Sequence, residues 1–473
     1  MSDVDKRRAI RKAGAHGNSH PERTMIVAVL LFTAFCSAVA FGAVDAIAIG
    51  TLAIAAAVIL LLWVADAWRS GQFAVNVDSL YLPIAGLILI GCVQLLPLGG
   101  DKAAQDLVGL RLSSALSLDP YATRMFIVRL AILLVFFAAA FTFIDTKKKI
   151  VNCAIAVIVF SAALAFFGIL QRLSGTEYIY GLRRPAQAIF FGPFINQHHF
   201  AAFMELASGL ALGILLGRGV NREQRIFLSI AAVVMGIGVV FTGSRGGILS
   251  YIGVITIAAL LSFLKLQDSD RGESRVGRMA TLAGGAALLI GVVLAGFFLG
   301  GGEALFRGLG SDQSDITSGR THFWSVAWKI FLDHPIIGAG HEAFAVAFTR
   351  YDTWHGAFRI EQAHNDYLQM LADAGVLGLA CVAAFIYLLA KKSLNVIAGS
   401  ADDLRTSIAI GALSGCAGII IHSVVDFPLR TMSNAIFFLL LVVFACAWVE
   451  KDRKGSGRSR RRSRSKRETI SEL

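Results

Sequence analysis

Apolar positions in this chain run unbroken for about 20 residues at a time, the length that carries an α-helix across a hydrocarbon core of about 30 Å. They do not alternate with polar positions, as the strands of a membrane barrel require. The runs predict spans near 24–42, 47–67, 80–98, 125–144, 150–170, 198–216, 226–243, 246–265, 279–300, 366–390, 406–424 and 431–449. The expected fold class is therefore all-α, a polytopic membrane bundle of about twelve helices. One large loop, 301–365, separates the ninth and tenth spans. The separation of the seventh and eighth rests on Ser244-Arg245-Gly246-Gly247, where polar and small residues interrupt 226–265.

Charge tests the count. With an even number of spans both termini share the cytosolic side, and alternate loops then hold Arg69; Lys147, Lys148 and Lys149; Arg218, Arg222 and Arg225; Arg271, Arg275 and Arg278; and Lys391, Lys392 and Arg405. Each such loop is basic, as cytosolic loops tend to be. One span over 226–265 would move the later loops to the other side and break the pattern. The first span follows Lys6, Arg7, Arg8, Arg11, Lys12 and Arg23. It is read as a retained span rather than a cleaved signal, because it is long and others follow.

Composition agrees: 16% of the 473 residues are charged and 56% hydrophobic, against about 25% charged in ordinary soluble domains. The net charge of +12 gathers in the tails. The expected organisation is a basic cytosolic tail (1–23), a membrane domain (24–449) with its large periplasmic loop (301–365), and a basic, disordered cytosolic tail (450–473). The Ser/Arg-rich end directly follows a span, so it is read as fixing topology against anionic lipid, not as binding nucleic acid. The six cysteines fall within predicted spans without metal-like spacing, which predicts neither a disulfide nor a structural metal. No Walker loop or dinucleotide fingerprint is present, so no nucleotide cofactor is expected.

Candidate chemistry clusters on the outer side. Arg245 lies at a membrane boundary, where an arginine is costly unless partnered; small neighbours suit it to a bulky anion such as phosphate. Arg320, in Ser318-Gly319-Arg320-Thr321-His322-Phe323-Trp324, falls on the same side. Taken singly, snorkelling or a salt bridge accounts for Arg245 and solvation for Arg320; two arginines on one face suit a diphosphate held without metal, and Arg183, Arg184, Arg350 and Arg359 add to the positive field. Ser318 is expected to cap a loop helix whose Trp324 and Trp328 lie one turn apart, a face suited to the membrane surface. Pro335 ends that helix, and Gly338 and Gly340 permit a tight turn. His364 has two readings: a histidine hydrogen-bonded at a helix start capped by Asn365 or Asp366, or a general base oriented by Asp366 or Glu361. Asn196, His198 and His199 stand at another outer boundary; adjacent histidines point apart on a helix, which favours headgroup or sugar contacts over a shared metal. Glu205, Arg129 and His422 fall inside predicted spans, where mutual pairing and function are both open.

Together these motifs resemble the bacterial O-antigen ligase and polymerase superfamily. The resemblance rests on Gly192-Pro193-Phe194-Ile195-Asn196 with His199-Phe200-Ala201, Ser244 to Gly247, Arg320 to Trp324, Asp333-His334-Pro335-Ile336-Ile337-Gly338-Ala339-Gly340, His364-Asn365 with Tyr367-Leu368, and Gly375-Val376-Leu377-Gly378. No single motif is specific; their order and common side are. The resemblance implies a glycosyltransferase of the bacterial inner membrane, acting on the periplasmic face. Its donor would be a glycan on undecaprenyl diphosphate, and its acceptor lipid A–core, another lipid-linked glycan or a protein hydroxyl. It implies that Arg245 and Arg320 hold the diphosphate and that His364 activates the acceptor hydroxyl in an inverting, metal-independent displacement. Asn196, His199, Asn365 and Asp366 would be substrate contacts or support. The rival is a lipid-linked oligosaccharide flippase or other twelve-helix transporter; against it stand the absence of a half-to-half repeat and the gathering of polar candidates at one surface.

Overall fold

The computed structural model describes residues 21–98, 114–185, 188–267, 319–353 and 359–448. Among them run α1 (Pro21–Val39), α2 (Ala46–Ser70), α3 (Tyr81–Gln94), α4 (Pro120–Phe143), α5 (Lys147–Leu173), α6 (Gln197–Leu216), α7 (Arg222–Phe241), α8 (Arg245–Gln267), α9 (Arg320–Asp333), α10 (Phe344–Tyr351), α11 (Asp366–Gly399), α12 (Asp403–His422), a 3₁₀ turn (Pro428–Arg430) and α13 (Met432–Cys446). Nine of these helices are long and apolar enough to cross a membrane, and α3 and α13 are shorter apolar helices. All of the predicted spans but one have a counterpart; that one, 279–300, lies outside the described residues, as do 1–20, 301–318 and 450–473. The chain is a multi-pass, all-helical membrane protein.

Local sequence explains most boundaries. Asp119, Thr146, Asn196, Asn221, Asn365 and Asp402 each accept a backbone N–H from the first turn of the helix they precede. Ser244 caps α8 by accepting the Gly247 N–H at 3.0 Å. The interruption at 242–244 therefore does divide two helices, with Gly243 at φ 68° between them. Ser318, expected to cap α9, lies outside the described residues; the residue before α9 is Gly319, in the left-handed region (φ 85°). A glycine reaches this conformation without the steric cost a serine would carry. Trp328 is exposed on α9 whereas Trp324 is half-buried, so the tryptophans do not form one open face.

Two packing features place the site. α6 and α12 cross with their backbones touching: a Cβ added at Gly213 would lie 2.2 Å from the Gly411 Cα, and one at Gly209 2.5 Å from the Gly415 Cα. Small residues permit such close approach where lipid offers no hydrophobic drive. The second feature is a break in α11 at Gly375 (φ 63°). The segment 335–340 docks into it: the Val376 and Leu377 N–H groups donate to the Pro335 and Ile336 carbonyls at 2.8 and 3.3 Å, and the Ala339 and Gly340 N–H groups to the Ala372 and Asp373 carbonyls at 2.9 and 3.1 Å. The buried Gln94 amide completes the junction by donating to the Ile337 and Asp373 carbonyls at 2.5 and 2.8 Å. The backbone groups freed by the break are thus satisfied by protein, the condition for an irregular helix at membrane depth.

Candidate functional site

Four chain segments far apart in sequence end at one place. α12 stops at His422, and the following turn carries Asp426, which is 2% exposed. The Asp426 carboxylate faces His364 Nδ1 at 3.3 Å, Arg320 Nη2 at 3.6 Å and His198 Nδ1 at 3.8 Å. The Phe427 N–H also donates to Asp426 Oδ1, at 3.0 Å. Burial alone would push this carboxyl up. The His364 hydrogen bond and the nearby His198, His364 and His422 outweigh it and hold Asp426 well below the usual carboxylate range.

His364 sits just before α11 in the left-handed region (φ 51°). Such a backbone costs a bulky residue on the order of 1 kcal/mol and persists only where surroundings enforce it. Here Asn365 caps α11 by accepting the Tyr367 and Leu368 N–H groups, both at 3.0 Å. The Asp366 N–H donates to the Ser423 carbonyl at 2.9 Å, and the Ser423 hydroxyl donates to Asp366 Oδ2 at 3.0 Å. The strand of chain bearing His364 is thereby clamped to the turn bearing Asp426. The imidazole lies between Phe427 (ring centroids 4.9 Å apart) and Phe323 (6.2 Å, nearly parallel). With Nδ1–H directed at Asp426, Nε2 keeps its lone pair, the arrangement of an oriented general base. The side chain is 29% exposed, so a substrate can reach it.

The carboxylates expected to orient His364 are engaged elsewhere. Asp366 supports Ser423 and also faces Arg430 Nε at 3.7 Å. Glu361 lies exposed beside Arg359 at 3.8 Å. Neither aims at His364; Asp426 does.

Arg245 is the exposed first residue of α8, one residue after Ser244, whose hydroxyl meets His198 Nδ1 at 2.8 Å. Gly246 and Gly247 bring this helix start close in: added Cβ atoms would lie 2.7 Å from Val425 Cγ2 and 2.7 Å from Ala201 Cβ. His198 and His199 point apart, as the helix requires. His199 bonds the Thr431 hydroxyl at 2.7 Å and packs on Phe427, one layer behind His364. Asn196 caps α6 by accepting the His198 N–H at 2.8 Å. Within the bundle Glu205 pairs with His422, and Arg129 with Glu342.

Residues 230–383 of the 473 match the family model described as O-antigen ligase. The match supports the O-antigen ligase and polymerase-like superfamily, and with it a membrane role in glycan ligation or polymerisation. No curated protein gives a significant match. The segment matched to O-antigen ligase contains Arg245, Arg320 and His364, whereas His198 and Asp426 lie outside it. Sequence reasoning missed Asp426 and Arg430. The available signal was two charges in the short loop 425–430 between apolar spans.

Proposed function

We propose that the chain transfers a glycan from undecaprenyl diphosphate to an acceptor hydroxyl on the periplasmic face, in ligation or polymerisation of surface polysaccharide. The convergence of His364 and Arg320 on the buried Asp426 carries this reading. Arg320, with Arg245 on the same end of the bundle, supplies fixed positive charge for the donor diphosphate. His364 Nε2 takes the proton of the acceptor hydroxyl as that oxygen attacks the anomeric carbon. The bond from that carbon to the diphosphate breaks with inversion, and the diphosphate leaves on its lipid. Asp426 holds the Nδ1–H and stabilises the imidazolium that forms.

A second observation favours a lipid-borne donor. A cavity of about 230 Å³ lies between α3, α4, α11, α12 and α13, walled by Leu87, Leu130, Met370, Phe385 and Phe438. Its lining also includes Asp366 and Ser423, the clamp that joins the two halves of the site, with Arg129, Glu342 and Arg430. A hydrocarbon chain in this cavity would place its diphosphate near His364.

Transfer from an undecaprenyl diphosphate oligosaccharide to a lipid-linked acceptor, measured with purified wild type and His364→Ala, tests the reading. The expected loss is about 100-fold or more, in the range a general base supplies, with and without chelator. Undiminished transfer by a folded His364→Ala protein contradicts it. Movement of the lipid-linked glycan across proteoliposomes without transfer would establish the flippase instead.

A further inference from the structure

Directly beneath the site, in the close crossing of α6 and α12, the structure keeps two ionisable side chains that no step above uses. Glu205 and His422 are fully buried, with Glu205 Oε1 and His422 Nδ1 2.9 Å apart. Glycines line the surroundings: an added Cβ at Gly246 would lie 3.3 Å from His422 Nε2 and 2.7 Å from Val425 Cγ2. Glu205 Oε2 and His422 Nε2 have no hydrogen-bond partner among the described residues. A buried pair so incompletely satisfied is a poor stabiliser compared with apolar side chains of the same volume. Ionisable groups at membrane depth instead tend to serve function.

The backbone shows what the pair controls. His422 is the last residue of α12, and its carbonyl accepts the N–H groups of Val425 and Asp426, both at 3.0 Å. Asp426 therefore hangs from the residue whose ring Glu205 grips. An apolar side chain at 422 would fill the space without fixing the rotation of the helix end.

We propose that Glu205 and His422 form a positioning pair: the ring of His422, held by Glu205, sets where α12 ends and hence where Asp426 meets His364. The inference rests on the catalytic reading of His364 and deepens it. Glu205 lies eight residues from the first residue of α6, about 12 Å down the helix at 1.5 Å per residue, so it touches no substrate and acts through His422 and Asp426.

The test is steady-state transfer kinetics with thermal unfolding on the full chain, for wild type, Glu205→Gln, Glu205→Leu, His422→Asn and, alongside, His364→Ala. Glu205→Gln retains an acceptor for the Nδ1–H and is expected to stay near the wild-type kcat. Glu205→Leu removes the acceptor that holds the ring and His422→Asn removes the ring itself, with an expected loss of about 10- to 100-fold in kcat and an unchanged donor KM, the signature of a misplaced group. Should Glu205→Leu fail to fold, Glu205→Asp, which withdraws the carboxylate by one methylene, is judged by the same kcat criterion. Wild-type kcat in a folded Glu205→Leu or His422→Asn protein, a change in KM alone, or Glu205→Gln as impaired as Glu205→Leu overturns the proposal. His364→Ala at the wild-type rate would overturn the catalytic reading itself, and the two failures are distinct.

Discussion

At the scale of single residues, the site turns on one carboxylate shared by several cationic or potentially cationic groups. Asp426 is nearly sealed from solvent, yet the His364 hydrogen bond, with His198 and His422 nearby, holds its carboxyl below the usual range. Asp426→Asn preserves volume and its amide oxygen can still accept the Nδ1–H, but it removes the negative charge that stabilises the imidazolium formed in the step. The expected outcome is a kcat lower by about 100-fold with the fold retained, read from transfer rates and thermal unfolding. Because the folded Asp426 carboxyl lies below its ordinary value, its contribution to stability is fully present above about pH 4 and is lost only as pH falls through the lowered value. The difference in Tm between wild type and Asp426→Asn should therefore narrow in acid, as pH falls below about 4. The histidine and the arginines were legible in sequence because polar groups at span edges are conspicuous. The partner of His364 was not, since it lies 62 positions away, and Asp366 and Glu361 were nearer in sequence.

At the scale of elements, the decisive piece is the docking of 335–340 into the break of α11. The sequence showed Gly338 and Gly340 as a turn, and both do take positive φ. What it did not show was the partner of that turn, because backbone pairing across distant segments leaves no local pattern. Cβ atoms added at Gly338 and Gly375 would lie 2.2 Å from the Ala374 nitrogen and 2.4 Å from the Ile336 carbonyl carbon. Gly338→Ala or Gly375→Ala is expected to cost about 3 kcal/mol or more, from backbone strain plus overlap that cannot relax. Gly243, at φ 68° with nothing within 4 Å of an added Cβ, provides the contrast. Gly243→Ala should cost only the left-handed penalty of about 1 to 2 kcal/mol. Thermal unfolding of the three variants separates the two causes.

At the scale of the whole molecule, α6, α8, α9, α11 and the turn after α12 bring their ends together on one face of the bundle, while an apolar cavity runs beside them between the spans. The spans within the described residues were readable because about twenty apolar residues are needed for each crossing. The cavity was not, because it arises from how α3, α4, α11 and α13 lean on one another. If it holds the donor's hydrocarbon chain, Leu87→Trp should raise the KM for a long-chain donor about tenfold and leave a short-chain donor unaffected, since several buried methylenes are worth more than 1.4 kcal/mol. The central claim, that His364 and Asp426 act as one unit assembled by the fold, is tested most directly by a double-mutant cycle on kcat with His364→Ala, Asp426→Ala and the double variant. Residues that act together give a double variant no slower than His364→Ala alone. Losses that multiply, or an Asp426→Ala protein with wild-type kcat, would contradict the account.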